Sequence, residues 1–384
     1  MTVKIVAVTV ARSDYSIIKP ILTEIDANPR TELELVVSGM HLAPEFGHTV
    51  DEINLDGWHI NARLEHLLSS DSSVGVAKSI GLGVLSFADY FSNCDADFLL
   101  LIGDRAEMLA AAIAAQPFEL RIAHVHGGET TEGAIDEAFR HSITKMSCLH
   151  FATTKKYAER IIQMGEQPKN VFYCGAPALD NLTNLSMMSP DELDKSFNIK
   201  VAQNPIIVTY HPETYGVEAN EMNILNVLEA LSNLSNQIIF TGSNADASGR
   251  RINQLIKNKV KENKNWIMVN NLSLRGYYSV LSVAKVMIGN SSSGIIEAGS
   301  FGLPVVNIGD RQRGRVSGEN VIHVPNSIVE IRNGIAKALS AKFINLAQKI
   351  HNPYDNGGAS KLIVDSILAA HESKLSAKKA FYDF

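Results

Sequence analysis

Short apolar runs alternate with amphipathic stretches along nearly the whole chain. Runs such as KIVAVTV and DFLLLIG are each followed by a candidate helix such as AEMLAAAIAA. This alternation is typical of a doubly wound parallel sheet with helices on both faces. Between residues 181 and 204 the runs stop and polar residues dominate, which predicts a linker. We therefore expect an α/β protein with two Rossmann-like domains, over residues 1–180 and 205–355, and a cleft between them.

Composition narrows the class of protein further. A chain of 384 residues with 45% hydrophobic residues is too long for one core and suits two domains. Its formal net charge of -6 argues against a general nucleic-acid or membrane-surface partner. The N-terminus reads as a first strand rather than a signal peptide, and no stretch approaches the roughly 20 apolar residues of a membrane span. These features predict a soluble, cytoplasmic protein.

Ligand-binding residues of doubly wound sheets lie at the carboxyl ends of the strands. One such end carries the sequence GNSSSGIIE, with Ser291, Ser292, Ser293 and Gly294 followed by Glu297. Small residues at a strand-to-helix turn let backbone N–H groups and hydroxyls approach a phosphate, at a helix expected to begin near Gly294. Glu297, about one turn further on, suits the hydroxyls of a ribose. The alternative is an ordinary serine cap of a helix.

Three further segments of the second half carry candidate ligand groups. His211 ends one predicted strand and could donate to a diphosphate, or be satisfied by backbone. Asn244 ends the next strand, where turn chemistry explains an asparagine equally well. Arg311, Arg313 and Arg315 lie on one glycine-flanked loop, as either a phosphate clamp or a solvated basic loop.

The first half carries residues suited to proton transfer. Asp104 and Arg105 directly follow an apolar strand, and the segment HVHGGETTEGAIDEAFRH contains His126, Glu129 and Asp136. Clustered carboxylates and imidazoles that perturb one another are the usual groups of general acid and base catalysis.

A metal site is the competing interpretation of the same segment. His124 and His126 are two residues apart, but no HExxH helix or carboxylate triad accompanies them. The three cysteines lack C-x-x-C spacing. We therefore expect neither a metal nor another cofactor.

A series of short motifs runs along the chain in the order ARSDY, GDR, HVHGGE, IDEAFRHSITK, CGAPALD, YHPET, GNSSSGIIEAGSFGLPVVNIGDRQRGR and NPYDNGGAS. Taken together, these motifs resemble those of the hydrolysing UDP-N-acetylglucosamine 2-epimerases over nearly the whole chain. The resemblance implies a GT-B fold. It also implies that the C-terminal segment, residues 356–384, contains a helix near residues 359–373 that crosses back onto the first domain.

The resemblance also implies the chemistry. A base removes the C2 proton of the sugar, UDP leaves C1, and water adds at C1 to release N-acetylmannosamine, for sialic acid biosynthesis. The implied catalytic residues are Asp104, Arg105, His126, Glu129, Asp136 and His211. The implied UDP-binding residues are Arg12, Ser16, His211, Asn244, Ser291, Ser292, Ser293, Gly294, Glu297 and Arg315. Non-hydrolysing relatives carry HVEAGLR where this chain has HVHGGE, and this difference favours hydrolysis.

Other functions are compatible with the same motifs. The substrate could instead be a UDP- or GDP-linked 2,4-diacetamido sugar of legionaminic acid biosynthesis. A GT-B glycosyltransferase would bind UDP-sugars similarly but requires an acceptor. A non-catalytic sensor of nucleotide sugars would not need the acid-base residues. The expected partners are the UDP-sugar, UDP and further copies of the chain, as a dimer or tetramer.

Overall fold

The computed structural model describes residues 2–44, 47–68, 72–130, 135–183, 185–212, 220–242 and 247–383. The chain divides into two compact units. The first comprises Met1–Glu129, Ile135–Asn181 and Asn356–Phe384, and the second comprises Leu182–Asp355 with Thr130. Each unit contains one parallel sheet covered by helices, so the prediction of two Rossmann-like α/β halves is confirmed.

The first sheet has seven strands in the described part of the chain. They are β1 (Val3–Thr9), β2 (Thr31–Ser38), β3 (Ala62–Leu64), β4 (Phe98–Ile102), β5 (Arg121–Val125), β6 (Leu149–Ala152) and β7 (Val171–Tyr173). They pair in parallel in the order β3-β2-β1-β4-β5-β6-β7. Strand β4 reads FLLLI and is buried throughout, as expected for a central strand covered on both faces.

Helices connect these strands on both faces of the first sheet. They are α1 (Arg12–Ala27), α2 (Val50–Leu55), α3 (Ser73–Phe91), α4 (Ala106–Ala115), α5 (Asp136–Met146), α6 (Lys155–Gln163) and, from the C-terminal segment, α14 (Ala359–Glu372). Asp14 fixes the start of α1, because its carboxylate accepts from the Val10 and Ala11 N–H groups (both 3.1 Å). Thr154 caps α6 by accepting from Tyr157 N (3.3 Å).

The second sheet repeats this arrangement with six strands among the described residues. They are β8 (Ile206–Thr209), β9 (Ile238–Thr241), β10 (Trp266–Val269), β11 (Val286–Gly289), β12 (Val305–Ile308) and β13 (Val321–Val324), in the parallel order β10-β9-β8-β11-β12-β13. The helices are α7 (Pro190–Phe197), α8 (Asn220–Leu231), α9 (Ala247–Glu262), α10 (Ser273–Val283), α11 (Ser292–Ile296), α12 (Ile328–Ala338) and α13 (Ala341–Ala347). Both sheets therefore reverse strand order at one point, between β1 and β4 and between β8 and β11.

The edge strands and the predicted linker differ from the sequence predictions. The edge strands β3 and β13 have only three and four residues, and such short strands escaped a search for apolar runs. The predicted linker, residues 181–204, contains helix α7, which begins with a capping box formed by Ser189 and Glu192. Leu193 and Ile199 from this segment are fully buried in the core of the second unit, so the segment is packed rather than extended.

Helix α3 contradicts the prediction that no stretch approaches a membrane span. Its 19 residues are long and apolar enough to cross a membrane by length and composition. One such helix is weak evidence for a membrane span, because core helices of soluble proteins and signal sequences pass the same test. Glycines and serines lie between the apolar residues of α3, so the sequence did not show a continuous apolar stretch there. On its buried side, Phe87 and Phe91 pack with residues of α4 in one cluster.

The C-terminal segment packs on the first unit through α14. Asp180, which lies outside this helix, caps its first turn, because the Asp180 carboxylate accepts from Ala359 N (3.2 Å) and Ser360 N (2.6 Å). Ile363 and Ile367 of α14 lie in the same buried cluster as Ile18 of α1. The helix is thus held at its first turn and along one apolar face.

Residues after α14 are anchored by a buried ion cluster around Glu166. Its carboxylate, 2% exposed, contacts Lys379 Nζ (2.6 Å), Lys145 Nζ (2.6 Å) and His150 Nε2 (3.0 Å). Burial alone would raise the pKa of Glu166, but these hydrogen bonds outweigh it and lower the pKa to about 2. The ionised carboxylate therefore stabilises the folded chain and holds the C-terminal tail.

Replacing Glu166 by Gln is expected to destabilise the protein at pH 7 by about 3 kcal/mol, because two lysines would be left without a buried counterion. The folded-state pKa lies below the ordinary value of 4.5, so the wild-type advantage is complete above that value and fades as pH falls towards 2. Urea unfolding of the wild type and of the Glu166→Gln variant at pH 7 and pH 3 measures this difference in stability. Glu119→Gln is the control, since Glu119 pairs with Lys378 on the surface (3.2 Å) and should change stability by less than about 1 kcal/mol. Equal effects of the two substitutions would contradict the interpretation.

Candidate active site

The carboxyl ends of β8 and β11 meet at the reversal point of the second sheet. Gly289 ends β11 at a φ of 135°, and a Cβ atom there would lie 1.9 Å from the Thr209 carbonyl oxygen. Only glycine allows this approach of the two strands. The Asn290 side chain then joins the strand ends, accepting from His211 N (2.7 Å) and donating to His211 O (2.8 Å). His211 and the serine run are therefore brought together as neighbours.

The serine run begins helix α11 two residues earlier than predicted. Ser291 is the cap, and its hydroxyl accepts from Ser293 N (3.3 Å). Helix α11 has only five residues, so its dipole contributes less than a long helix would. Ser292 is partly exposed, whereas Ser293 and Gly294 are buried. The donors that this turn offers are therefore local hydroxyl and N–H groups rather than the dipole of a long helix.

Two tyrosines of helix α10 lie against this turn. The Tyr277 hydroxyl donates to Ser293 Oγ (2.7 Å), and the Tyr278 hydroxyl donates to Glu297 Oε1 (2.9 Å). Burial raises the pKa of Glu297, against the opposing effect of hydrogen bonds from Ser293 and Tyr278. Sequence reasoning missed both tyrosines, because they lie inside a helix rather than at a strand end.

The arginine loop after β12 contacts the same strand end. Arg311 Nη1 (3.0 Å) and Gln312 Nε2 (2.8 Å) both donate to the Asn290 carbonyl. Burial, and secondarily the charge of Arg311, lowers the pKa of His211 to about 3, so its imidazole is neutral near pH 7. Arg313 and Arg315 line a cavity of about 590 Å³ beside this loop, and Arg315 Nε also donates to the Thr130 carbonyl (3.2 Å). Asn244, predicted for the same site, lies outside the described residues.

The predicted residues of α1 occupy different environments. Arg12 is the exposed first residue of the helix. Ser16 is partly buried, with its hydroxyl donating to Ser13 O (3.0 Å) and its carbonyl accepting from Asn181 Nδ2 (3.0 Å). Arg12 is thus available to a solvent-borne ligand, whereas Ser16 is engaged locally.

Arg140 of helix α5 contacts several of the predicted acid-base residues of the first unit. The residue is 2% exposed, and its guanidinium forms an ion pair with Asp104 and donates to the His126 carbonyl (2.9 Å). The same group lies 3.9 Å from Glu129 Oε2. The structure therefore gathers Asp104, His126 and Glu129, as their positions after β4 and β5 suggested, around a cation that sequence reasoning had not placed in the site.

His126 and Glu129 form a closely coupled pair. His126 Nδ1 lies 2.7 Å from Glu129 Oε1, which also accepts from the Thr153 hydroxyl (2.8 Å). Thr153 follows β6, so a wider search of strand ends would have found it. His126 has a φ of 64°, a backbone conformation that non-glycine residues adopt rarely and that often marks functional positions. A Cβ on Gly128 would lie 2.5 Å from the Tyr157 carbonyl, so the turn packs tightly on α6.

Asp136 lies near Asp104 at the start of α5. Burial, and next the charge of Asp104, raises the pKa of Asp136, while Arg105 and Arg140 oppose the shift. Arg105 is the N-cap residue of α4, and its Nη1 contacts Met40 Sδ (3.4 Å). The carboxyl groups of Asp104 and Asp136, whose charges interact, are thus present beside the pair of His126 and Glu129.

His124 does not share a metal site with His126. Its Nε2 lies 2.8 Å from Gly103 O and its Nδ1 lies 3.1 Å from Thr144 Oγ1. Burial lowers the pKa of His124 to about 3, which keeps the imidazole neutral. Within the described ranges, no group of three or more histidine, cysteine, aspartate or glutamate side chains is arranged to hold a metal ion.

Comparison with known proteins assigns the family. The model of the UDP-N-acetylglucosamine 2-epimerase family matches residues 23–368. A polysialic acid biosynthesis protein P7 of Escherichia coli is 36% identical over 99% of this chain and 97% of its own length. A GDP/UDP-N,N'-diacetylbacillosamine 2-epimerase (hydrolyzing) of Campylobacter jejuni is 36% identical over 83% of both chains. The chain therefore belongs to the UDP-N-acetylglucosamine 2-epimerase family.

Solved structures support the fold. The crystal structure of UDP-GlcNAc 2-epimerase from Neisseria meningitidis bound to UDP-GlcNAc has a TM-score of 0.82 at 19% identity, covering 96% of this chain and all of that one. A structural similarity at 19% sequence identity supports an assignment of the fold alone. With the two parallel sheets, it confirms the prediction of a GT-B fold with two Rossmann-like domains.

Replacing Gly289 by Ala is expected to destabilise the protein by about 3 kcal/mol or more, because a Cβ cannot fit against the Thr209 carbonyl. Thermal and urea unfolding measure the loss. Gly81→Ala is the matched control, since Gly81 lies on helix α3 with open space around it, and the change should be neutral or stabilising by up to about 1 kcal/mol. Unaltered unfolding of the Gly289 variant would show that β8 and β11 do not approach as described.

Proposed function

We propose that this protein is a hydrolysing nucleotide-sugar 2-epimerase that converts UDP-N-acetylglucosamine and water to N-acetylmannosamine and UDP. The observation that carries the proposal is the cluster of Asp104, His126, Glu129 and Asp136 around Arg140, within a chain of this family. The name of the Escherichia coli relative, a polysialic acid biosynthesis protein, supports a role in sialic acid biosynthesis.

The cluster suits removal of a weakly acidic proton. The C2 proton of a neutral acetamido sugar needs both a base and stabilisation of the departing diphosphate. In our proposal the first unit removes the C2 proton, the electron pair of the C–H bond forms the C1–C2 double bond, and the C1–O bond breaks with its pair on UDP. Water then adds at C1 and a proton at C2.

The second unit would hold UDP. Ser292, Ser293 and the neutral His211 supply hydroxyl and N–H donors at one strand end, and Arg315 supplies positive charge. Glu297, beside Tyr278, would accept from the ribose hydroxyls. Because arginine and N–H groups can neutralise the leaving diphosphate, the proposed reaction requires no metal or other cofactor.

A second candidate substrate is a nucleotide-linked N,N'-diacetylbacillosamine. It is favoured by the name of the Campylobacter jejuni relative, which is as similar in identity as the Escherichia coli protein. In either case we propose a cytoplasmic enzyme that acts as a homo-oligomer. A glycosyltransferase remains the alternative of another class, and it requires an acceptor.

Incubation with UDP-N-acetylglucosamine in deuterated water containing EDTA, followed by proton NMR, tests the proposed reaction. We expect UDP and N-acetylmannosamine with deuterium at C2, without any acceptor. Asp104→Asn should reduce turnover by about 100-fold or more, because it removes a charged member of the cluster. Asp89→Asn, at an exposed position of α3, is the control and should have no effect.

The other outcomes of this experiment discriminate the alternatives. Turnover of the diacetamido substrate alone would favour the second candidate. Product without deuterium at C2 would exclude proton abstraction, and a requirement for an acceptor would favour a transferase. Activity abolished by EDTA and restored by a divalent ion would contradict the proposed metal independence.

Calorimetric titration with UDP tests the proposed nucleotide site. The double substitution Ser292→Ala with Glu297→Ala should weaken binding by about 1 to 3 kcal/mol for each hydrogen bond to the nucleotide that it removes. Ser282→Ala with Glu262→Ala, at exposed positions of the same unit, should leave affinity unchanged. Undiminished affinity in the first variant would mean that UDP binds elsewhere.

A further inference from the structure

The imidazole of His126 has one nitrogen engaged and one buried without a partner. Nδ1 contacts Glu129 at 2.7 Å, and the residue is 5% exposed. Among the described residues, no donor or acceptor lies within hydrogen-bonding distance of Nε2. A buried nitrogen without a partner is costly, and in a catalytic cluster it points to a bond made with the substrate.

The partners of Glu129 determine which nitrogen of the His126 imidazole carries the proton. The Thr153 hydroxyl donates to Oε1 (2.8 Å), and the Arg140 guanidinium lies 3.9 Å from Oε2. Beside this cation the carboxylate is favoured in its ionised form, which only accepts hydrogen bonds. His126 Nδ1 must therefore donate, and the neutral imidazole carries its lone pair on Nε2.

Backbone contacts fix the position of this imidazole. His126 N donates to Phe151 O (3.0 Å), and its carbonyl accepts from Arg140 Nη1 (2.9 Å). A backbone conformation with positive φ is maintained only where the surroundings determine it, as these two contacts do. The Glu129 carboxylate and two backbone hydrogen bonds therefore hold the His126 imidazole in place.

We propose that His126 Nε2 is the base that removes the C2 proton, and that Glu129 is a positioning residue that acts only through His126 Nδ1. This inference rests on the proposed function. The C2 proton moves to Nε2, the electron pair of the C–H bond forms the C1–C2 double bond, and UDP leaves with the pair of the C1–O bond. Nε2 then returns its proton to solvent, while C2 receives a proton from a second acid.

Glu129 itself is poorly placed to touch the sugar. It is 1% exposed, and its two oxygens already contact His126, Thr153 and Arg140. Direct contact with substrate would displace one of these groups. Its role in this arrangement is to set the tautomer of His126 and to stabilise the imidazolium that forms.

The pH dependence of turnover separates the two roles. The charged and titratable groups around His126 are Asp104 after β4, His124 in β5, Glu129 after β5, and Asp136 and Arg140 in α5. His126→Gln should lower kcat by about 100-fold or more and remove the rise of kcat/KM with pH that reports deprotonation of the base. Glu129→Gln should lower kcat with little change in KM and keep that rise, because the imidazole that takes the proton is still present but is no longer oriented by a carboxylate.

A matched control is present in the same unit. His150 and Glu166 form another buried pair, at 3.0 Å, outside the cluster. His150→Gln should affect stability without moving the pH profile. If instead Glu129→Gln abolished the rise and His126→Gln retained it, Glu129 would be the base and the proposal would be overturned.

A second measurement does not depend on turnover. In protein labelled with ¹⁵N-histidine, the signal that disappears in His126→Gln identifies His126, and its chemical shifts report the tautomer. We expect a protonated Nδ1 and an unprotonated Nε2 at neutral pH. A protonated Nε2 would overturn the inference even if the enzyme were fully active, whereas failure to turn over any UDP-sugar would contradict the proposed function while leaving this result standing.

Discussion

All strands of both sheets are parallel, so the carboxyl ends of the strands in each sheet lie along one edge. Strand order reverses once in each sheet, between β1 and β4 and between β8 and β11, and the loops there diverge to opposite faces. The positions of the candidate site residues follow from this constraint. Asp104 follows β4, His126 follows β5, and His211 and Ser291 follow β8 and β11.

Within the first unit, one buried guanidinium organises the site. Arg140 balances the carboxylates of Asp104 and Glu129 and binds the backbone of His126. Planar guanidinium geometry allows one side chain to serve several acceptors at once, which a lysine could not do equally well. Removing Arg140 would leave two carboxylates in a poorly solvated region without their counterion, so the arrangement depends on this residue.

Sequence reasoning succeeded where local chemistry determines structure. Fully buried central strands such as β4 are recognisable because they are continuously apolar, and strand-end residues such as Asp104 and His126 follow from them. The edge strand β3 escaped because a strand of three residues, with Arg63 exposed between two partly buried residues, gives no clear pattern.

The remaining site residues depend on tertiary packing. Tyr278 reaches Glu297 from the interior of a helix, and Arg140 reaches Asp104 across 36 positions of sequence. Neither interaction produces a local pattern in the amino-acid sequence. The same holds for Lys379, which crosses from the C-terminal tail to the buried Glu166, and for the partly apolar helix α7 inside a segment that reads as polar.

The proposed mechanism depends on removal of the C2 proton by the cluster around Arg140. The most direct measurement follows a UDP-sugar carrying deuterium at C2 through turnover in ordinary water. The mechanism predicts a released sugar with hydrogen at C2 and the deuterium transferred to solvent. Release of sugar that retains its deuterium at C2 would contradict it.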